Sequence, residues 1–247
     1  MNLALFFTYG ISLKTWVETG LIDREKLIYE EHLKKGSLKK VFWFTYSSDD
    51  KRYERELKET GRLHKDIDVI VPPRIFNNSI GKAIYSFLLP IIYRKFFKGI
   101  AILKTNQING SWSAVFAKWL YRKPLIVRTG HTASLFIKNE SASWLKLRIY
   151  ELIELMAYRY CDVGFVASRH DKEFICQRYH IAQDKIEILN NYVDTDCFYP
   201  VECEKYKDRI ISLIKQPQRK EAFKEIRESF IKSSALFKTT QDISFYI

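Results

Sequence analysis

A chain of 247 residues with 47% hydrophobic residues can bury a full core, and its 15% aromatic content with only 9 glycines and 6 prolines excludes disordered and fibrous proteins. The formal net charge of +12 predicts attraction to an anion, whether nucleic acid, phospholipid headgroups or a phosphate-bearing substrate. The four cysteines form no CxxC pair and "MNLALFFTYG" lacks a basic leader, so we expect a reduced, cytoplasmic setting.

Short apolar runs alternate with helical stretches along most of the chain. The predicted strands are LALFFTY (3–9), VFWFTY (41–46), DIDVIVPP (66–73), IAILKTN (100–106), LIVRTG (125–130), DVGFVAS (162–168) and KIEIL (185–189). The predicted helices include single segments at about 12–35 and 79–98, and a helix after residue 110 that begins with Ser111 and Ser113 as caps.

The strands are continuously apolar, as a sheet covered on both faces requires, and repeated alternation with helices implies right-handed crossovers. We therefore predict an α/β fold with a doubly wound, mostly parallel, Rossmann-like sheet over residues 1–198. A short strand and helical tail over 199–247 follows. The apolar stretch near residue 90 is interrupted by Pro90 and by basic residues, so no transmembrane helix is expected.

Ligands of such sheets lie at the carboxyl ends of the strands, so we expect the functional residues at these ends. The first strand leads into "TYGISLKTW", where Gly10 and Ser12 permit a tight turn and the following helix amides form an anion site. The pattern is not GxGxxG, and no acidic residue closes the second strand, which disfavours a dinucleotide. The alternative is a turn selected for geometry alone.

The strand "LIVRTGH" ends at a histidine, His131, beside Gly130. A histidine there can polarise or deprotonate a hydroxyl near neutral pH, and Gly130 leaves room for a substrate. The alternative is a histidine that hydrogen-bonds loop backbone. Position favours the first interpretation, because His131 alone among the five histidines ends a predicted core strand. Since HExxH, paired CxxC and P-loop patterns do not occur, no metal site is expected.

Four segments in register resemble the N-terminal half of a retaining glycosyltransferase of family 4, which has the GT-B fold of two facing Rossmann-like domains. They are FFTYGISLKTWVETGLIDRE, VRTGHTASLF, CDVGFVASRHDKEFICQRYHI and KIEILNNYVDTDCFYP. In the last, the family usually reads P-N-[GY]-V-D-x-x-x-F-x-P. Here Asn191, Val193, Asp194, Phe198 and Pro200 match, and Asn190 stands where proline is usual.

The resemblance implies roles for individual residues. Gly10, Ser12 and Lys14 would lie near the donor phosphates, and His131 would be the catalytic histidine facing sugar and acceptor. Asn191 and Asp194 would mark the hinge to the second domain. The implied acceptor-binding residues are Asn106, Arg128, Thr129, Gly130 and Thr132. The family needs no bound metal or cofactor, and its substrate is a nucleotide-sugar, UDP- or GDP-linked.

The sequence departs from the family after Pro200, where only 47 residues follow and no E-x7-E arrangement for the donor occurs. A second domain of ordinary size needs about 150 residues. We therefore expect residues 199–247 to be a hinge plus a short strand and helix remnant of a missing donor-binding domain. The chain is then an acceptor-side domain that is incomplete or inactive alone, so whether it is itself an enzyme stays open. The alternative is a non-catalytic module that docks at a membrane or on a second polypeptide carrying the donor site.

The expected acceptor is a glycan or a lipid-linked molecule. "SFLLPIIYRKFFKG" suits a helix lying on an anionic membrane at the inner face of the cell membrane, but the pattern slightly favours the alternative, a core helix with a solvated basic end. Nucleic acid is not expected as a partner, because the charge is accompanied by no recognised motif.

Overall fold

The structure, a computed structural model, describes residues 1–139 and 143–189. The predicted hinge residues Asn191 and Asp194 and the predicted tail 199–247 lie outside the described residues.

One sheet of seven parallel strands forms the centre of the described part, which confirms the predicted fold class. The spatial order is β3-β2-β1-β4-β5-β6-β7, so the direction of winding reverses between β1 and β4. The strands are β1 (Asn2–Phe6), β2 (Lys40–Phe44), β3 (Ile67–Ile70), β4 (Ile102–Thr105), β5 (Leu125–Arg128), β6 (Val163–Val166) and β7 (Ile186–Ile188).

Ten α-helices and two short 3-10 turns (Arg74–Phe76 and Gln183–Lys185) join the strands within the described residues. Right-handed crossovers place α1 to α4 on one face of the sheet and α5 to α10 on the other, where α7 packs against both α5 and α9. The helices are α1 (Leu13–Glu18), α2 (Leu21–Glu25), α3 (Leu27–Lys34), α4 (Asp50–Glu59), α5 (Ser79–Ile92), α6 (Arg94–Gly99), α7 (Ser111–Tyr121), α8 (Ala133–Asn139), α9 (Trp144–Tyr160) and α10 (Arg169–Tyr179).

Two predicted helices are divided. The segment at 12–35 forms three short helices, with Gly20 at φ +73° between the first two, a conformation that a glycine adopts without steric cost. The segment at 79–98 breaks at Tyr93, whose hydroxyl donates to the Val71 carbonyl. Among the described residues, no helix combines the length and apolarity that a membrane span requires.

Pro90, inside α5, leaves the carbonyl of Ser86 without its helical donor. The hydroxyl of Ser113 on α7 donates to that carbonyl, and Trp112 Nε1 donates to the Ser86 hydroxyl at 2.9 Å. The predicted capping role of Ser111 and Ser113 is therefore wrong: Gly110 holds the cap position, and Ser113 ties α7 to α5.

Aromatic side chains fill both halves of the core. On the α1–α3 side, Trp43 contacts Trp16 and Tyr29 at ring-centroid distances of 5.5 and 5.9 Å. On the other side, Phe97 stacks on Phe44 at 5.2 Å and on Tyr121 at 4.9 Å. This packing fixes the sheet and therefore the relative positions of the loops at its carboxyl edge.

Candidate active site

Three loops meet where the winding of the sheet reverses, because β1, β4 and β5 are neighbours in that order. The Tyr9 amide, in the loop after β1, donates to the Asn109 carbonyl in the loop after β4 at 3.0 Å. The Gly130 amide, in the loop after β5, donates to Gln107 Oε1 in the loop after β4 at 3.0 Å. The loops after β1, β4 and β5 thus form one connected edge at the point where doubly wound sheets bind ligands.

Gly10 occupies the first loop at φ +78°, a left-handed conformation that favours glycine. A Cβ atom added there would meet no atom within 4 Å. The glycine is thus required by its backbone angle rather than by crowding, and the space beside it is open to a ligand.

The predicted donor residues Ser12 and Lys14 are engaged locally. Ser12 Oγ caps α1 by accepting from the Thr15 amide at 3.1 Å. The half-exposed Lys14 ammonium lies 3.6 Å from Glu18 Oε1, one helical turn on. Neither contact tests their predicted role toward a phosphate.

The amides at the start of α1 already hold an anion, the carboxylate of Asp50. Asp50 is fully buried and accepts from the Leu13 amide at 2.8 Å and from the Lys14 amide at 3.2 Å. Burial raises the pKa of Asp50 above its ordinary value, against the lowering effect of these hydrogen bonds. Sequence reasoning expected a ligand there and missed Asp50, which lies six residues past the end of β2 and 37 residues from Leu13.

The loop that carries His131 is fastened on both sides. Thr129 Oγ1 donates to the His131 carbonyl at 2.5 Å. Thr132 donates to Asp171 Oδ1 of α10 through its amide at 3.1 Å and its hydroxyl at 2.5 Å. The hydroxyls of Thr129 and Thr132, both buried, therefore hold the loop in shape.

Glu154 of α9 holds the first turn of α8, which follows the same loop. Its carboxylate accepts from the Ser134 amide at 3.0 Å, from the Ser134 hydroxyl at 2.6 Å and from the Tyr179 hydroxyl at 2.6 Å. Glu154 is 1% exposed. A buried carboxylate with three donors is satisfied, and such a network fixes the elements that supply it.

His131 itself is exposed, with its ring 5.5 Å from that of Phe136. Within residues 1–139 and 143–189, the imidazole makes no hydrogen bond. This geometry does not fit a histidine whose ring serves to bind loop backbone. The imidazole is accessible on a loop that its neighbours hold, and its role toward a ligand stays a prediction.

Two predicted acceptor residues are buried. Arg128 is 7% exposed, and its Nη1 lies 3.6 Å from Glu25 Oε2. Asn106 is 5% exposed, and its Oδ1 accepts no hydrogen bond from the described residues. Contact of either residue with an acceptor stays a prediction.

A buried lysine lies beside Arg128. Lys104 of β4 donates from Nζ to the Tyr29 hydroxyl at 2.8 Å. Burial, reinforced by the positive charge of Arg128, lowers the pKa of Lys104 to about 7. Sequence reasoning did not single out this residue, since a lysine within a strand reads as an exposed position.

No group of three or more His, Cys, Asp or Glu side chains is arranged to hold a metal ion in the part of the chain that the structure describes.

The model of the family described as Glycosyltransferase Family 4 matches residues 37–197. This range includes β2 to β7 and the loops after β4 and β5. In a direct comparison, no curated protein matches the sequence.

Solved structures of HepE share the fold. Anabaena HepE in complex with UDP aligns with a TM-score of 0.51 at 14% identity, covering 85% of this chain and 49% of HepE. HepE with UDP and glucose gives the same values. A glycosyltransferase from Rickettsia africae aligns with a TM-score of 0.45 at 18% identity, covering 88% of this chain and 50% of its own. The chain therefore spans about half the length of the structures it matches.

Proposed function

The chain belongs to glycosyltransferase family 4, and from that membership we propose that it is the acceptor-side domain for transfer of a sugar from a nucleotide-sugar to a glycan or lipid-linked acceptor. The observation that supports this most directly is the exposed His131 imidazole on a loop fixed by Asp171 and Glu154. A catalytic group needs such fixed placement, because misplacement by about 1 Å can cost a factor of roughly 100 in rate.

His131 is proposed to act on the hydroxyl or sugar at the reacting centre, with space for the substrate beside Gly10 and Gly130. A neutral imidazole at this edge can accept a proton from a hydroxyl near neutral pH. Ser12 and Lys14 are proposed to lie near the donor phosphates, and Asn106, Arg128, Thr129 and Thr132 to contribute to the acceptor site, directly or by holding it.

The donor is proposed to be a UDP- or GDP-linked sugar, a choice supported by the UDP in the complex of the fold neighbour HepE. Because the chain spans about half the length of the structures it matches, we propose that the donor site is completed by a second domain or polypeptide. Asn191 and Asp194 are the proposed hinge residues.

The chain is proposed to work in the cytoplasm, at the inner face of the cell membrane. The exposed apolar side chains of α5, such as Phe87 at 58% exposure, also support the second candidate function, a docking module without catalysis of its own. The two candidates differ in whether His131 matters to a reaction.

The test is sugar transfer by a protein that joins this chain to a donor-binding domain. His131→Ala should lower turnover by a factor of roughly 100 to 10,000, the usual contribution of a general acid or base. His32→Ala, at an exposed position on α3 across the sheet, is the matched control and should keep wild-type turnover. Wild-type turnover in His131→Ala would remove the catalytic role proposed for His131.

A further inference from the structure

The outward side of α5 is almost entirely apolar and continues onto α7, against which α5 packs. The side chains recur at the spacing of a helix face, and their exposures reach 75% at Ile80, 58% at Phe87 and 54% at Trp119. We call this surface the α5–α7 face; its residues are Ile80, Ile84, Phe87, Leu88, Ile91 and Trp119. Contiguous exposed apolar surfaces of this kind mark interaction sites.

Positive charge flanks the C-terminal end of the α5–α7 face. Between Asp68 and Glu140 the sequence contains 11 basic residues and no acidic one. Arg94, Lys95 and Lys98 are exposed on α6, which continues α5, and Arg122 is exposed at the end of α7. Two of the eleven, Lys104 and Arg128, are buried on the other side of the sheet, so the cationic rim of this face consists of the exposed residues of α6 and Arg122.

The occupant of this face must supply both hydrocarbon and negative charge. Nucleic acid supplies phosphates but no apolar surface to cover aliphatic side chains. A second copy of the chain would place two cationic rims against each other, which costs free energy. An anionic bilayer supplies acyl chains and acidic headgroups, and it adapts to a convex helix without a preformed groove.

We propose that the α5–α7 face docks on an anionic lipid bilayer. The apolar side chains enter the interfacial layer, Trp119 lies at headgroup level where tryptophan is favoured, and the lysines of α6 contact the headgroups. This inference rests on the proposed membrane contact and names the surface that makes it; it does not depend on the transfer chemistry.

The placement has a consequence for the acceptor. Helices run antiparallel to the strands they follow, so α5 and α7 begin at the carboxyl edge of the sheet that carries His131. A groove of about 540 Å³ opens at the start of α5, lined by Ile75, Phe76, Ile80 and Ile84 among others. A bilayer on the α5–α7 face therefore lies next to the edge that we propose binds acceptor, which favours an acceptor attached to a lipid.

The experiment is co-sedimentation of the full chain with vesicles of phosphatidylcholine mixed with phosphatidylglycerol, and with vesicles of phosphatidylcholine alone. We expect binding to the anionic vesicles. Salt should weaken this binding, because the Debye screening length falls to about 3 Å at 1 M ionic strength. Phe87→Gln with Ile91→Gln should lower the partition coefficient about tenfold, since each side chain is partly inserted in the interface. Lys95→Gln with Lys98→Gln should lower it roughly fivefold for each charge removed.

Two matched controls distinguish binding through this face from non-specific hydrophobic or electrostatic binding elsewhere on the protein. Ile188→Gln removes a 44% exposed apolar side chain from the sheet edge, and Lys34→Gln with Arg55→Gln removes two exposed charges from α3 and α4 on the opposite face. Both should bind like wild type, and thermal melts should show that all variants fold.

Three outcomes overturn the proposal. The first is absence of binding to anionic vesicles, which also removes the proposed membrane contact but leaves the transfer test of His131 untouched. The second is vesicle binding that Phe87→Gln with Ile91→Gln leaves unchanged. The third is a dimer in light scattering that these substitutions convert to a monomer without changing vesicle binding, which assigns the face to a second copy of the chain.

Discussion

Glu154 binds Ser134 twice: the two oxygens of its carboxylate accept from the Ser134 amide at 3.0 Å and from the Ser134 hydroxyl at 2.6 Å. The pair joins the middle of α9 to the start of α8, three residues after His131. Because Tyr179 of α10 donates to the same carboxylate, one buried side chain fixes two helices and the loop that carries His131.

Replacing Glu154 by glutamine should destabilise the domain by about 1–3 kcal/mol, because one amide oxygen cannot accept from three buried donors and the new NH2 group faces a donor. For a protein of this size we expect the melting temperature to fall by about 2–4 °C for each kcal/mol. Glu151→Gln on the same helix, which breaks ion pairs of the partly exposed Arg148 and Arg178, should cost about 1 kcal/mol or less. Equal melting temperatures for the two variants would contradict the role assigned to Glu154.

Gly10 and Gly110 offer a matched comparison of two glycines with positive φ. Alanine at either position pays about 1–2 kcal/mol for a left-handed backbone. At Gly110, with φ +96°, the added Cβ would also lie 2.8 Å from the Tyr9 backbone nitrogen, whereas at Gly10 it would meet nothing within 4 Å. Gly110→Ala should therefore lower stability in urea by clearly more than Gly10→Ala. A larger loss in Gly10→Ala would show that the first loop is packed differently.

The lowered pKa of Lys104 predicts a specific pH dependence of the stability of the domain. Its pKa is about 7 in the folded protein and 10.5 ordinarily, so between these values the unfolded chain binds the additional proton. Stability should therefore rise as the pH increases from about 7 to 10.5 and be lowest, with respect to this group, below pH 7.

Lys104→Met should remove this rise, which is on the order of a few kcal/mol. The measurement is the free energy of unfolding in denaturant at several pH values between 6 and 10. Lys35→Met, at the exposed C-cap position of α3, is the control and should keep the wild-type dependence. An unchanged dependence in Lys104→Met would mean that Lys104 is charged in its buried site.

The isolated chain should bind UDP- and GDP-sugars more weakly than micromolar in calorimetric titrations. The Leu13 and Lys14 amides, which could otherwise meet a phosphate, already donate to Asp50, and the chain spans about half the length of the structures it matches. A two-domain member of family 4, titrated under the same conditions, is the positive control. Micromolar affinity of this chain alone would show that its donor site is complete.

Much of the architecture could be predicted from local pattern. The apolar runs at β1 to β7 and the helical segments between them specified a parallel, doubly wound sheet, and the structure confirms it. The positions of Gly10, Gly130 and His131 at its carboxyl edge also followed from sequence, because strand ends can be read from where an apolar run stops.

Helix boundaries were predicted less well where tertiary contacts decide them. No local sequence pattern at Tyr93 predicts the break between α5 and α6. The Tyr93 hydroxyl donates to the carbonyl of Val71, which lies 22 residues earlier. Ser113 was expected to cap a helix and instead satisfies the Ser86 carbonyl that Pro90 leaves free. In both cases the partner that decides the conformation lies on another element.

By itself, the sequence determined the fold class and the edge of the sheet at which Gly10, Gly130 and His131 lie, because apolar periodicity and strand ends are local properties; the family followed from the resemblance of whole motifs. Only the tertiary structure decided which polar groups form hydrogen bonds with the residues at that edge or are buried near it. Asp50 reaches the α1 amides across 37 residues and Glu154 reaches Ser134 across 20, while burial sets the pKa of Lys104. The exposure of the α5–α7 face was likewise undecided in sequence, since an apolar helix face is the same pattern whether it covers a core or meets a membrane.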